Sequence, residues 1–151
     1  MAESIEINTK NLDKLLKAFK GKLPVAKVGI LKDTAARSGD LNNPTIGAKH
    51  EFGLDGMPVR SFLRMPIIEK LSNELMTSGA IDDLNIKKVI QGGTILPWIK
   101  SLGALGVKIV LDAFSTGGFG KWPASNMSRK KVKQTLVETG QLRNSITWEV
   151  T

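Results

Sequence analysis

The sequence predicts an α+β fold, in which a small antiparallel or mixed sheet of about three strands packs with two main helices and long loops. Three observations predict it. Apolar and polar residues alternate near both ends of the chain, two longer segments carry helical apolar spacing, and polar or glycine-rich stretches separate them. The length of 151 residues and the 41% apolar content fit a single domain over residues 1–151.

The first part of the chain predicts a strand, a helix and a second strand. Apolar residues alternate with polar ones at 4–8 and again at 26–30, the pattern of half-buried strands. Between them, Asn11 is placed to cap a helix that Gly21 ends. The sequence does not decide whether these strands run parallel or antiparallel. One face of the helix is apolar and consists of Leu12, Leu15, Leu16 and Phe19.

The middle of the chain predicts one mobile loop and two helical segments. Residues 33–44 are small, polar and turn-forming, so we expect a mobile loop there. A short helical turn at 46–52 ends at Gly53, and 54–58 is again loop. Ser61 then opens a helix that ends at Gly79. Its apolar stripe consists of Ile67, Ile68, Leu71 and Leu75.

The longest predicted helix covers about 95–115 and follows a weakly helical segment at 82–91. Thr94 is placed to cap it, and one face carries Trp98, Leu102, Leu105, Ile109 and Ala113. Gly103 and Gly106 each cost this helix about 1 kcal/mol relative to alanine. That cost predicts close packing of another backbone, from the same subunit or from a neighbour.

The last part of the chain predicts a loop, a turn and a closing strand. Residues 115–128 are glycine-rich and irregular, so we expect a second mobile loop. Thr139 is placed to cap a short turn, and residues 146–150 alternate as a strand.

The net charge is +8, from 22 basic and 14 acidic side chains. Residues 121–143 hold only one acid, Glu138, and their basic residues are Lys121, Arg129, Lys130, Lys131, Lys133 and Arg143. This local excess suits contact with a polyanion or an acidic partner. A solvated basic loop is the simpler alternative.

The residue inventory excludes several catalytic chemistries. The chain has no cysteine and one histidine, so it cannot build a thiolate site or a multi-histidine metal centre, and no serine is paired with a second histidine. His50 precedes Glu51, but a zinc protease motif needs another histidine at 54, which is leucine. The glycines near 117–120 lack phosphate-loop spacing because Trp122 stands where serine or threonine is required. We expect no enzyme, cofactor or metal, and a structural role for His50.

No segment predicts a membrane or export function. The longest apolar runs fall short of the ~18 residues that span a bilayer. The first four residues lack the basic start of a signal peptide. We therefore expect a soluble chain made in the cytoplasm.

Three stretches, taken in order, resemble a known family. The first comprises 46–53 and 57–64, with the motif residues His50, Glu51, Phe52, Gly53, Pro58, Phe62 and Leu63. The second is 119–123, with Trp122 and Pro123. The third is 136–146, with Thr139, Gly140, Leu142 and Ser145. Together they resemble the virion morphogenesis proteins of tailed bacteriophages, the family of tail-completion and head–tail joining (neck) proteins.

This resemblance implies a structural virion protein. Its subunits would form a cyclic ring, expected to be hexameric, at the head-proximal end of the tail or in the neck. Its partners would be the tail-terminator, tail-tube and head-completion or portal proteins, and phage DNA would pass through it transiently. Assembly would take place in the host cytoplasm.

The candidate interface residues are mainly basic. Arg60 and Arg64 are four apart, so they would share a helical face, and their planar guanidinium groups suit carboxylates of a neighbouring subunit. Gly103, Gly106 and Arg143 are further candidates. The run Arg129, Lys130, Lys131 and Lys133 is expected to lie against an acidic neighbouring protein rather than to line the DNA channel.

Two other function classes remain open. A basic module that binds duplex DNA without sequence preference would explain the charge, although no helix-turn-helix pattern is present. A small hydrolase is the other alternative, and the single histidine argues against it.

Overall fold

The computed structural model describes residues 9–31, 42–80, 86–124, 136 and 140–151. In this part of the chain, six helices, one 3-10 turn (Leu54–Gly56) and a two-stranded sheet confirm the α+β class. The predicted strand at 4–8 lies outside the described residues. The elements are α1 Lys10–Ala18, β1 Ala26–Gly29, α2 Asn43–Phe52, α3 Arg64–Thr77, α4 Ile86–Ile90, α5 Leu96–Thr116, α6 Gln141–Asn144 and β2 Thr147–Val150.

The two strands pair antiparallel and pack against α5. Val28 lies opposite Trp148. A Cβ at Gly103 would lie 2.5 Å from Cε3 of Trp148, and one at Gly106 would lie 2.8 Å from Cγ2 of Val28. The predicted close packing at these glycines is confirmed, but side chains of the same subunit make it rather than a backbone. Both glycines are therefore buried inside the subunit, and their assignment to a subunit interface is wrong.

Replacing Gly103 with alanine is expected to lower the melting temperature. Overpacking against the Trp148 ring costs about 1–3 kcal/mol, which exceeds the roughly 1 kcal/mol that alanine gains in a helix. The exposed neighbour Ala104 provides the control, because Ala104→Gly measures the helix propensity term alone. If Gly103→Ala instead stabilises the protein by the amount that Ala104→Gly destabilises it, the contact with Trp148 is not tight.

Apolar clusters form at both ends of α5. Near its C-terminal end, five residues are buried together: Phe62, Val110, Phe114, Leu142 and Ile146. Near its N-terminal end, the cluster consists of Val89, Ile95 and Ile99. The predicted buried face of α5 is confirmed at Leu105, Ile109 and Ala113. A helix of 21 residues is about 30 Å long, so α5 separates two regions of the molecule.

The predicted apolar stripe of α1 is only partly covered. Leu15 and Ala18 pack on the N-terminal cluster of α5, whereas Leu12, Leu16 and Phe19 stay 54%, 51% and 38% exposed. Within the described residues, one edge of the apolar face of α1 therefore contacts this cluster, and the adjacent edge remains exposed. Its N-cap is Thr9, so the predicted cap at Asn11 is wrong by two residues.

Two predicted loops are shorter than expected. Helix α2 begins at Asn43, because the Asn42 side chain accepts a hydrogen bond from the backbone N–H of Thr45 at 2.9 Å and Pro44 suits a first turn. Of the loop predicted at 33–44, residues 33–41 lie outside the described part. Helix α5 likewise continues to Thr116, inside the loop predicted at 115–128.

Candidate assembly site around Glu51

The reversal between α2 and α3 places the first motif. Gly53 ends α2 in the left-handed conformation (φ 68°), which an L side chain rarely adopts. The chain then returns alongside α2, so that the backbone N–H of Arg60 donates to the carbonyl of His50 at 2.8 Å. This return brings the residues before α3 next to Glu51, whose side chain is almost completely buried.

The Glu51 carboxylate caps the N-terminus of α3. Its Oε1 accepts from the Ser61 hydroxyl at 2.7 Å and from the N–H of Arg64 at 3.1 Å. Its Oε2 accepts from the N–H groups of Phe62 and Leu63 at 2.8 and 3.0 Å. The first amides of a helix lack partners within the helix, and a negative charge is favoured at that end. Glu51 therefore stabilises the start of α3.

Ser61 completes this cap. While its hydroxyl donates to Glu51, its Oγ accepts from the N–H of Met65 at 3.0 Å. The carboxylate and the hydroxyl together bind the amides of four successive residues, 62–65. Because these contacts occupy both carboxylate oxygens, the geometry fits a structural role for Glu51 better than proton transfer.

The Arg60 side chain is buried and points to the segment after α5. Its guanidinium donates from Nε to the carbonyl of Pro123 at 3.0 Å and from Nη2 to that of Ala124 at 2.9 Å. Burial lowers the pKa of Arg60 from its usual value, but an arginine stays charged at neutral pH. The expectation that Arg60 and Arg64 share a helical face is wrong, because α3 begins only at Arg64. The Arg64 side chain is 61% exposed.

Trp122 connects the second motif to the first. Its indole Nε1 donates to the carbonyl of Ser61 at 3.2 Å. Its ring packs edge-on against Phe114, with 5.7 Å between centroids and 83° between planes. Phe114 in turn packs on Phe62 at 5.3 Å. These three rings form one aromatic cluster, which joins the segment before α3, the end of α5 and the segment after α5.

The segment after α5 is also attached along the outer face of α3. Lys121 forms an ion pair with Glu69, with 2.6 Å between Nζ and Oε2. The ammonium group of Lys70 lies 4.6 Å from the centroid of the Phe119 ring. Within the loop predicted at 115–128, residues 115–116 are helical, and Phe119 and Lys121 contact α3. The mobility of this loop stays a prediction. Residues 125–128 lie outside the described part.

The third motif belongs to the core. Gly140 precedes α6, and Leu142 is buried with Phe62 and Phe114. The hydroxyl of Ser145 is buried and donates to the carbonyl of Leu142 at 2.7 Å. Leu142 and Ser145 therefore lie in the core of the described part of the chain.

The remaining predicted site residues divide into two groups. Arg143 is half-buried on α6, and Pro58 lies exposed in the irregular segment between Gly56 and α3. The others lie outside the described residues: Arg129, Lys130, Lys131, Lys133 and Thr139.

The outward side of the site is an open apolar groove between α2 and α3, with a volume of about 490 Å³. We refer to it as the α2–α3 groove. Phe52 and Ile68 are 58% and 74% exposed. The Arg64 guanidinium lies 5.8 Å from the centre of the Phe52 ring and is the exposed cation of the lining. The groove is lined mainly by Ile30, Phe52, Phe62, Leu63, Ile67 and Ile68.

Sequence reasoning missed this groove because it placed Ile68 in the buried stripe of α3. Adjacent helical residues point about 100° apart. Ile67 and Ile68 therefore cannot both face the core fully, and the structure turns Ile68 outward. The adjacent apolar residues Ile67 and Ile68 were the signal in the sequence that one of the two would be exposed.

Replacing Arg60 with lysine is expected to cost about 1–3 kcal/mol of the free energy of unfolding, because one ammonium group cannot reproduce the planar fork that binds two carbonyls. Arg64→Lys is the matched control, and its exposed position predicts a change below about 0.5 kcal/mol. Urea unfolding measures both. Equal effects of the two substitutions would contradict the buried role of Arg60.

No known protein family, curated protein or solved structure matches this chain. Within the described ranges, no three His, Asp or Glu side chains are grouped so that they could hold a metal ion. No helix in those ranges is long and apolar enough to cross a membrane.

Proposed function

We propose that this chain is a structural virion protein of a tailed bacteriophage. It forms a ring at the head-proximal end of the tail or in the neck, where it completes the tail and joins it to the head. One observation carries this proposal. The three stretches that carry the resemblance meet in one interlocked unit, through Glu51 on α3, Arg60 on Pro123, and Leu142 beside Phe62.

The distribution of polar and apolar groups in this unit supports an assembly role. Its buried polar side chains, Glu51, Arg60 and Ser61, are used in hydrogen bonds within the chain. Its outward side presents Phe52 and Ile68. An apolar surface with one arginine at its edge is typical of the centre of a protein–protein interface, where aromatic residues and arginine are enriched.

The partners in this role are further copies of the chain and the proteins above and below the ring. We expect six copies, with tail-terminator or tail-tube proteins on one side and head-completion or portal proteins on the other. Phage DNA passes through the ring during packaging and ejection.

Deletion of the gene from the phage that encodes it tests this role. Electron microscopy of lysates should show DNA-filled heads and separate tails, with few joined particles. The wild-type gene should restore joining, and so should Met76→Glu, which places a charge on an exposed apolar position of α3 outside the groove lining. Ile68→Glu in the groove should not. Normal joined particles in the deletion lysate would contradict the proposal.

A second candidate function is sequence-independent binding of duplex DNA, and the charge of α1 favours it. Residues 9–25 carry five lysines and one acid, Asp13, and α4 adds Lys87 and Lys88. If the isolated monomer is a DNA-binding module, its affinity for duplex DNA should fall steeply with salt concentration. A ring subunit should bind duplex DNA only weakly at physiological salt, and a fluorescence anisotropy titration at several salt concentrations separates the two.

A further inference from the structure

Helix α1 carries two exposed stripes on opposite sides. One is an apolar ridge, in which the side chains are 54%, 51% and 38% exposed at Leu12, Leu16 and Phe19. The other is a lysine stripe, formed by the exposed residues Lys10, Lys14 and Lys17. Both follow the spacing i, i+4 and i+7, so each runs along one side of the helix. Every lysine precedes a ridge residue by two positions, which at 3.6 residues per turn places the two stripes about 200° apart.

The rest of the molecule covers only one of the sides between these stripes. Leu15 and Ala18 pack there on the cluster at the N-terminal end of α5. Asp13 precedes Leu15 by two positions, so it lies on the outward side. The helix therefore rests on the body with the apolar ridge along one edge and the lysine stripe along the other. A partner that contacts both edges has to reach around the outer half of the helix.

Charge excludes a second copy of the chain as this partner. Residues 9–25 carry five lysines, and Asp13 is their only acid, so two α1 surfaces would bring like charges together. The α2–α3 groove of another copy is no better, because its exposed charge is the guanidinium of Arg64. The lysine stripe therefore selects a different molecule that is acidic.

The positions of the two stripes select a protein among acidic partners. A bilayer is flat on the scale of a helix, so a membrane that took up the ridge would leave the lysines pointing away from its anionic head groups. Duplex DNA offers phosphates to the lysines, but its backbone offers no apolar surface to the ridge. A groove in a protein can supply an apolar wall and an acidic wall at once, and a helix held in a groove is a recurring mode of recognition.

We propose that α1 docks in an acidic groove of a different protein. One wall of that groove is apolar and covers Leu12, Leu16 and Phe19, and carboxylates on the opposite wall bind the lysine stripe. This surface lies on a different part of the molecule from the α2–α3 groove, and the inference does not rest on the proposed function.

Photo-cross-linking from both sides of α1 tests this contact in the cells that produce the protein. A benzophenone amino acid replaces Leu16 in one variant and Lys14 in another, both exposed positions where substitution should leave the fold intact. Mass spectrometry should identify the same protein in the adducts from both positions. The Leu16 adduct should lie at apolar residues of that protein, and the Lys14 adduct should lie beside its aspartates or glutamates.

Two charge variants and one position control make the test specific. Lys14→Glu combined with Lys17→Glu should abolish the Leu16 adduct, whereas Lys14→Arg combined with Lys17→Arg keeps the charge and should retain it. The same benzophenone at Met76, which is 74% exposed on α3, should not capture that protein. Adducts to another copy of the chain, adducts to two different proteins, no protein adduct, or an adduct that survives the charge reversal would each overturn the proposed contact.

Purified protein tests the two other acidic partners. It should bind neither vesicles of equal parts phosphatidylglycerol and phosphatidylcholine nor a short DNA duplex at physiological salt. Vesicle binding that Leu16→Glu abolishes would overturn the proposal and assign the ridge to a membrane surface. DNA binding that Lys14→Glu with Lys17→Glu abolishes would overturn it and assign the lysine stripe to a nucleic acid.

Discussion

Replacing Glu51 with alanine is expected to lower the free energy of unfolding by about 3–5 kcal/mol. The carboxylate accepts hydrogen bonds from the Ser61 hydroxyl and from the amides of residues 62–64, and it is shielded from water. Alanine leaves those donors without an acceptor in a buried place, where each costs more than a net hydrogen bond is worth. Urea unfolding followed by circular dichroism measures the loss.

Two further substitutions make this prediction specific. Glu51→Gln keeps the size of the side chain but replaces one acceptor oxygen with a donor that faces other donors, so most of the loss should remain. Glu69→Ala removes only the surface ion pair with Lys121 and should cost less than about 1 kcal/mol. If Glu51→Ala and Glu69→Ala destabilise the protein equally, Glu51 does not cap α3.

The second large loss of stability is expected in the aromatic cluster of Phe62, Phe114 and Trp122. Phe114 is fully buried and contacts the rings of Phe62 and Trp122, so Phe114→Ala leaves a cavity where α3, α5 and the segment after α5 meet. The expected cost is about 3–5 kcal/mol. Thermal unfolding measures it, and Phe114→Leu should recover a large part because it fills most of the volume.

The control for this prediction is a phenylalanine on the groove rim. Phe52 is 58% exposed, so Phe52→Ala should change the free energy of unfolding by less than about 0.5 kcal/mol. It should nevertheless weaken assembly, because it removes the ring over which Arg64 lies. A protein that tolerates Phe114→Ala as well as Phe52→Ala would contradict the placement of the core.

Local signals in the sequence predicted the elements that depend on neighbouring residues. The apolar spacing predicted α5, and Gly53 predicted the end of α2, because both are decided within a few residues of chain. The alternation at 26–30 and 146–150 predicted two strands in the same way. Their pairing could not be derived, since it depends on how the intervening chain folds.

The roles of the site residues depend on contacts between distant segments, and these contacts cannot be derived from local sequence patterns. Arg60 and Arg64 look equivalent at a spacing of four, yet one precedes α3 and binds carbonyls more than 60 residues away while the other begins the helix. Glu51 likewise acts on amides 11 to 13 residues further along, across a reversal of the chain. The partner of Gly103 follows only from the position of Trp148 in the sheet.

The exposure of α1 shows a different limit of sequence reasoning. The apolar spacing identifies which side of a helix avoids water, but not how much of that side the rest of the chain covers. Leu15 and Ala18 pack on the cluster at the N-terminal end of α5, whereas Leu12 and Leu16 remain about half exposed.

A cryo-electron microscopy map of the intact virion would decide whether the proposed function is correct. We expect this chain in a cyclic ring at the head-proximal end of the tail or in the neck, in contact with both head and tail proteins. A particle that lacks the chain, or that holds it in a two-fold pair away from the tail axis, would contradict the proposed function.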